Sequence, residues 1–219
     1  MKIILVSDFN EIPQEILLLK ALFEEGLEYF HLRKRDYSLE KICNYLDQIP
    51  PAFYERIVIH SHFHLVENYG LRGVHFKKNY TLNDFLQDMA ITASEARTRY
   101  RHLSHSVHSL NEIKNNSFAF NYLFLSPVFD SISNKGYNSK IKIQAIRKFF
   151  KEEPNRPEVI ALSGINADKV VHIAEAGFNG LGLLGYIWVR YKEDGNVSAA
   201  VQRFQLVQQK VKELNIGVI

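Results

Sequence analysis

The chain has 219 residues, of which 46% are hydrophobic and 23% charged, and its net charge is +3. This composition is that of an ordinary globular protein with enough apolar residues for a large core. The sequence contains no run of about 18 apolar residues that could span a membrane, and its N-terminus lacks the pattern of a signal peptide. Lysines and arginines are interspersed with acidic residues, which argues against a nucleic-acid-binding protein.

Cys43 is the single cysteine, so the chain can form no internal disulfide and no cysteine-based zinc cluster. This agrees with the reducing environment of the cytoplasm. We therefore expect a cytoplasmic protein with neither nucleic acid nor a membrane as partner, and the sequence is compatible with a homo-oligomer.

Strand-like apolar runs alternate with helical patterns along the whole chain. The predicted strands cover residues 2–6, 29–33, 56–60, 73–76, 103–107, 122–125, 159–162 and 180–184. The predicted helices cover residues 16–23, 38–49, 65–70, 82–100 (one long or broken helix), 109–115, 140–151, 166–176 and 199–214. About eight βα units of roughly 27 residues fill the chain, which favours a single (β/α)8 TIM-barrel domain over residues 1–219. An open doubly wound sheet is the alternative, but the first βα turn lacks a glycine-rich dinucleotide motif.

Polar residues follow most of the predicted strands, at the end where a barrel places its active site. They are Ser7, Asp8, His31, Arg33, Arg35, His60, Ser61, His75, Lys77, Ser106, His108, Ser126, Ser163 and Gly164. Alternation along the second strand would place His31, Arg33 and Arg35 on one side. Such a convergence of cations predicts an anionic ligand.

Glycine-rich turns end the last two strands, at Ser163-Gly164 and around Leu184-Gly185. Free backbone amides and the positive end of a helix dipole are typical of the phosphate site in many barrels. The alternative is that these glycines only relieve crowding between helix and strand.

The polar loop 130–138 contains Ser131, Ser133 and Lys135, which suit a lid over a phosphate. A plain surface loop is the alternative interpretation.

The run His60, His62, His64 could suggest a metal site, but a helix beginning there would separate the three side chains. No carboxylate or cysteine accompanies them, so we favour a solvated loop. His108 lies close to Ser106 at a strand end and is expected to face the pocket. No acid and no nucleophile elbow accompany this pair, which argues against a serine hydrolase.

Several segments together resemble the thiamin phosphate synthase and TenI superfamily across nearly the whole chain. These are SVHSLNE at 106–112, NYLFLSPVF at 121–129, IALSGI at 160–165 and AGFNG at 176–180, together with GVH at 73–75. The resemblance implies a transferase of thiamine biosynthesis, a thiamine-phosphate pyrophosphorylase. Such an enzyme joins a pyrimidine methyl diphosphate to a thiazole phosphate and uses magnesium.

The resemblance also implies roles for individual residues. It assigns Arg33 and Arg35 to the pyrophosphate, Lys135 to the lid, and Ser106, Ser131 and Ser133 to ligand contacts. The backbone at Gly164, Leu184 and Gly185 would hold the thiazole phosphate, next to Ser163.

The sequence departs from the synthase pattern at positions that matter for chemistry. His31 replaces a glutamine, His60-Ser61 replaces Asn-Asp, and an acidic metal ligand is replaced near Tyr80. Without these carboxylates a magnesium cofactor is in doubt and the metal ligands are unknown. The catalytic histidine of the TenI branch falls at Pro127.

Three functions therefore stay open from the sequence. A thiamin-phosphate synthase-like enzyme ranks first, and a TenI-like thiazole tautomerase that uses His31, His60 or His108 as its base ranks second. The third is a non-catalytic protein that binds thiazole or thiamin phosphate.

Overall fold

A computed structural model describes residues 1–77, 80–134 and 136–215. Within them, eight parallel strands form a closed barrel in sequence order, and the last strand pairs with the first. The strands are β1 (Lys2–Val6), β2 (Tyr29–Leu32), β3 (Ile57–Ile59), β4 (Gly73–Phe76), β5 (His102–Val107), β6 (Tyr122–Leu125), β7 (Val159–Leu162) and β8 (Gly180–Leu183). The predicted (β/α)8 barrel is confirmed, and the open-sheet alternative is wrong.

Helices follow the strands and cover the outside of the barrel. They are α1 (Glu15–Glu24), α2 (Leu39–Leu46), α3 (Leu65–Tyr69), α4 (Leu82–Asp88), α5 (Ala93–Arg99), α6 (Leu110–Lys114), α7 (Ile143–Glu152), α8 (Val170–Ala176), α9 (Gly185–Asp194) and α10 (Val197–Asn215). Short 3₁₀ turns precede β3 and α8. In the described part of the chain, no helix is both long and apolar enough to cross a membrane.

The segment 82–100 is broken into α4 and α5 rather than forming one long helix. Each of the two helices begins with its own capping box, Thr81 with Asp84 and Thr92 with Glu95. In a capping box the two side chains bond to the free backbone amides of the first turn, so each box starts a new helix.

Two apolar clusters hold the barrel. The larger one fills the space between the strands and the helices. The smaller one lies inside the barrel and consists of Ile4, Val6, Tyr122, Phe124 and Ile160. Buried polar side chains also come from the strands between β2 and β5. They are His31, His75, His102 and Ser104.

Helix α9 is bonded to residues at the end of β1, next to the pairing of β1 with β8 that closes the barrel. The indole nitrogen of Trp188 donates a hydrogen bond to the carbonyl of Val6 over 2.7 Å, and both residues are almost fully buried. One turn later Lys192 pairs with Asp8 at 2.8 Å. These contacts hold the first residues of α9 at the carboxyl end of the strands.

Candidate active site

A cavity of about 410 Å³ opens at the carboxyl ends of the strands, which is in the usual range for small-molecule sites. Its lining residues are Phe9, Arg33, Arg35, His60, Lys77, Ser106, His108, Ser126, Ser131, Ile132, Ser133, Asn134, Tyr137, Leu162, Ser163, Gly164, Ile165, Gly182, Leu184 and Gly185. We call this space the central cavity.

Most of the residues selected from the sequence line the central cavity. They are Arg33, Arg35, His60, Ser106, His108, Ser131, Ser133, Ser163, Gly164, Leu184 and Gly185. His31 does not line it, because its side chain is fully buried one hydrogen bond behind His60. Lys135 lies outside the described residues.

One wall of the central cavity is cationic. The guanidinium groups of Arg33 and Arg35 lie 4.2 Å and 5.0 Å from the centre of the Phe9 ring. The backbone amide of Arg33 donates to the buried Ser7 hydroxyl over 2.8 Å. These contacts fix the direction of both arginines. We call Arg33, Arg35 and Lys77 the cationic wall.

Burial lowers the pKa of two residues of the cationic wall, Arg33 and Lys77. Burial, and then repulsion from Arg35, lowers the pKa of Arg33 to about 10. The pKa of Lys77 is also lowered, first by burial and then by the two arginines. Within the described residues, no ion pair holds any of the three side chains. A bound anion would therefore relieve repulsion among them.

Another part of the cavity lining is formed by backbone. Ser163 and Gly164 follow β7 with positive φ angles of 83° and 68°. A side chain at Gly164 could not fit, because its Cβ would lie 2.4 Å from the carbonyl oxygen of Asp130. Leu184 and Gly185 begin the ten-residue helix α9, whose first amides have no partner within the helix. We call these four residues the amide wall.

The loop 130–138 closes the side of the central cavity near the amide wall. Its turn is held by a bond from the Ser131 amide to the Tyr137 carbonyl, and by one from the Asn134 amide to the Ser131 hydroxyl. Ile132 packs so closely on Gly185 that a Cβ there would be 2.8 Å from the Ile132 Cβ. The described part of this loop therefore rests directly on the start of α9.

Three buried histidines, His31, His60 and His75, form a cluster beneath the central cavity, and of the three only His60 lines it. We call this cluster the floor. The His31 Nδ1 and His60 Nε2 atoms are 2.9 Å apart, and His31 Nε2 is 2.5 Å from the Tyr122 hydroxyl. His75 contacts the hydroxyls of Ser104 and Ser106 at 2.9 Å and 2.8 Å. Burial above all, and then positively charged neighbours, hold the pKa of each histidine well below 6.5. All three imidazoles are therefore neutral at pH 7.

His108 lines the cavity next to the floor. Its Nδ1 atom lies 2.8 Å from the carbonyl oxygen of Ser126, and a carbonyl can only accept a hydrogen bond. The contact therefore places a proton on Nδ1 and leaves Nε2 as an acceptor when the ring is neutral. The backbone amide of His108 donates to Glu112, which holds the residue in place.

The central cavity does not suit a magnesium ion held by protein carboxylates. Its described lining contains no aspartate or glutamate. Asp8, which follows β1, is 4% exposed, and its two oxygens bond to Lys192 and to the amide of Asn10. Magnesium prefers carboxylate and other oxygen ligands in octahedral geometry. The described lining residues therefore do not fit a magnesium ion held by carboxylates.

Sequence reasoning left three notable residues out of the site. Tyr122 lies in an apolar run, and nothing in its pattern shows that its hydroxyl reaches His31. His75 lies in β4 and Lys77 follows it; both were recognised as polar strand-end residues, but the family resemblance assigned a role to neither. The polarity of these strand ends was the available signal.

The sequence was compared with models of known protein families and with curated protein sequences. The sequence profile of the TMP-TENI family, described as thiamine monophosphate synthase, matches residues 3–187. The chain belongs to this family. A search of curated protein sequences found no match.

Several solved structures have the same fold. The crystal structure of a thiamine phosphate pyrophosphorylase from Bacteroides thetaiotaomicron is 29% identical, with a TM-score of 0.77 over 97% of this chain and 98% of that one. A thiamine phosphate pyrophosphorylase from Pyrococcus furiosus is 14% identical, with a TM-score of 0.73 over 97% and 96% of the two chains. A 3-hexulose-6-phosphate synthase is 11% identical, with a TM-score of 0.60 over 93% and 99%, and shares the fold alone.

Proposed function

We propose that this protein is a thiamin-phosphate synthase-like transferase, which couples hydroxymethylpyrimidine diphosphate to thiazole phosphate and releases pyrophosphate. The observation that carries the proposal is the pairing of a cationic wall with an amide wall across one cavity, in a member of this family. Two anionic groups could thus be held at the same time by two different parts of the lining, next to the space where their organic parts would meet.

The cationic wall suits the diphosphate. In the reaction, the bond between the methylene carbon and the diphosphate oxygen breaks, and the thiazole nitrogen forms a new bond to that carbon. The leaving pyrophosphate takes the electron pair of the broken bond. Arg33, Arg35 and Lys77 would stabilise this growing negative charge, and charges placed in advance are most effective in the transition state.

The amide wall suits the thiazole phosphate. Free amides at the start of α9 and around Gly164 point positive dipoles at a phosphate, and the dipole of α9 adds to them. The hydroxyls of Ser131 and Ser133 on the loop offer further donors. Placing the phosphate here would direct the thiazole ring towards the centre of the cavity, where the methylene carbon would be attacked.

The direct test is incubation of the purified protein with both substrates, with and without magnesium, and measurement of thiamin phosphate by chromatography. We expect product from the wild-type protein and a large loss with Arg33→Ala. Arg147→Ala, an exposed arginine on α7, is the matched control and should leave the rate unchanged. Absence of product under every condition would contradict the proposal.

A TenI-like thiazole tautomerase is the second candidate, and one observation favours it. The tautomer of His108 leaves Nε2 free to accept a proton inside the central cavity. This reaction moves a proton within the thiazole and needs neither a diphosphate nor magnesium. His108→Gln would then abolish proton exchange on the thiazole, measured by NMR in D2O, while phosphate binding persists. Binding of thiazole phosphate with no turnover of either kind would indicate a non-catalytic binding protein.

A further inference from the structure

The three histidines on the cavity floor come from neighbouring strands and converge on one point. One ring nitrogen of each of His31, His60 and His75 lies within 4.8 Å of a ring nitrogen of the other two. All three side chains are buried, with exposures of 0%, 6% and 1%. Burying three neutral imidazoles against one another is costly unless their nitrogen atoms are satisfied.

The hydrogen bonds of the cluster leave one nitrogen unsatisfied. His60 Nδ1 is buried and has no partner among the described residues. Buried polar atoms are nearly always paired, so each exception calls for an explanation such as an ion or a water molecule. The clustering of the rings and this unsatisfied nitrogen are independent observations, and both involve His60.

The spacing of the rings fits coordination of one ion. Nitrogen atoms at about 2.0 to 2.1 Å from a zinc ion place the ring centres of cis or tetrahedral imidazoles roughly 4.5 to 5.2 Å apart. The centre of the His31 ring lies 5.1 Å from that of His60 and 5.2 Å from that of His75, both within this range. The centres of the His60 and His75 rings are 4.3 Å apart, which is just below it.

The surroundings of the cluster supply the outer contacts that such a site needs. A histidine that binds a metal usually makes a hydrogen bond through its other ring nitrogen, which fixes the tautomer and the ring orientation. His31 Nε2 contacts the hydroxyl of Tyr122, and His75 contacts Ser104 on one nitrogen and Ser106 on the other. With a metal bound, His75 would exchange one of these serine contacts for the ion and keep the other.

We propose that His31, His60 and His75 form a binding site for one first-row transition-metal dication of the zinc class, directly beneath the central cavity. Imidazole nitrogen is a ligand for zinc, copper, iron and nickel rather than for magnesium. Three imidazoles leave one tetrahedral position open. Since His60 and Ser106 both line the cavity, the ion adds positive charge under the place where an anionic ligand binds.

This site is independent of the proposed reaction, and its test measures metal directly. The protein is treated with a chelator, incubated with Zn²⁺, passed through a gel-filtration column and analysed for metal by mass spectrometry. We expect one equivalent of zinc in the wild-type protein and none in His60→Gln or His75→Gln. His64→Gln is the matched control, since His64 is an exposed histidine just after β3, and it should retain the metal.

Two further measurements decide the question even if the buried variants fail to fold. X-ray absorption of the zinc-loaded wild-type protein should show three imidazole ligands. Tyr122→Phe, which removes only a hydroxyl, should lower the zinc affinity about 10- to 100-fold. Wild-type protein that retains no zinc, a spectrum without imidazole scattering, or equal zinc retention by a folded His60→Gln variant would overturn the proposal.

Discussion

The cationic wall carries its positive charge on side chains, whereas the amide wall carries it on backbone dipoles. The side chains of Arg33 and Arg35 come from the loop after β2 and depend on Phe9 and Ser7 for their direction. The amides at Gly164 and Gly185 are positioned by the main chain, which packs closely against Asp130 and Ile132. A side chain can be removed without disturbing the chain path, but a backbone dipole cannot. Substitutions in the cationic wall should therefore weaken ligand binding without unfolding the protein, whereas substitutions in the amide wall should lower its stability as well.

The largest effect is expected from Gly164→Ala, which breaks the amide wall. The new Cβ would collide with the Asp130 carbonyl, and the positive φ adds strain. We expect a loss of about 2 to 5 kcal/mol in the free energy of unfolding, measured with urea, and loss of thiazole phosphate binding. Gly195→Ala is the control, because its φ is 60° but no atom lies within 4 Å of the added carbon. It should cost only about 1 to 2 kcal/mol. An equal loss of unfolding free energy in both variants would show that the close approach of Gly164 to the Asp130 carbonyl does not matter for stability.

Arg33→Ala should break the cationic wall without unfolding the protein. Loss of a charge-assisted hydrogen bond costs about 1.5 to 3 kcal/mol, or roughly 10- to 150-fold in affinity for inorganic diphosphate. Calorimetry should show this loss, while binding of thiazole phosphate changes much less. A similar fall in both affinities would mean that the two walls do not bind different groups.

Ser163→Ala should weaken the amide wall without a steric clash. The Ser163 hydroxyl donates to the Phe129 carbonyl over 3.0 Å, a bond worth about 1 kcal/mol. We expect that loss in urea unfolding and a several-fold weaker binding of thiazole phosphate. Ser117→Ala, an exposed serine before β6, should change neither quantity. Unaltered stability in Ser163→Ala would argue against a role of this hydroxyl in the wall.

The smallest effect is expected from Arg35→Ala. Arg35 is exposed, so solvent screens its charge, and it should contribute about 0.2 to 1 kcal/mol to diphosphate binding. The effect should fall further as salt is added, whereas that of the more buried Arg33 should persist. Titration calorimetry at low and high salt would measure this contrast. A larger effect for Arg35→Ala than for Arg33→Ala would reverse the order that burial predicts.

The sequence predicted the barrel well because most strands are short apolar runs between turn signals. The predicted bounds of β1, β4, β6 and β7 agree with the structure at both ends. Helix α9 was missed because it starts at Gly185 directly after a glycine-rich strand, with no polar capping residue. The break between α4 and α5 had a visible signal, since Thr92 and Glu95 have the spacing of a capping box.

The central cavity was predictable in outline, but its floor was not. Strand-end polarity and the family resemblance identified residues that the structure places around one space, such as Arg33 and Gly164. Strands buried on both faces show no alternation of polar and apolar residues. The sequence therefore could not reveal that His31 and His75 face the same point inside the barrel, or that Tyr122 lies within hydrogen-bond distance of His31. The roles of Arg33 and Gly164 in the site, and that of Lys135, stay predictions.

The pairing of β1 with β8, fastened by the bond from Trp188 to Val6, also constrains how the chain can be made. During translation at about 5 to 20 residues per second, the edge of β1 that meets β8 waits on the order of 10 s for its partner to be synthesised. An open strand edge is a template for incorrect pairing. The nascent chain therefore has to keep the edge of its first strand from pairing incorrectly until residues 180–194 leave the ribosome. Closure of the barrel is thus a late step in the synthesis and folding of this protein.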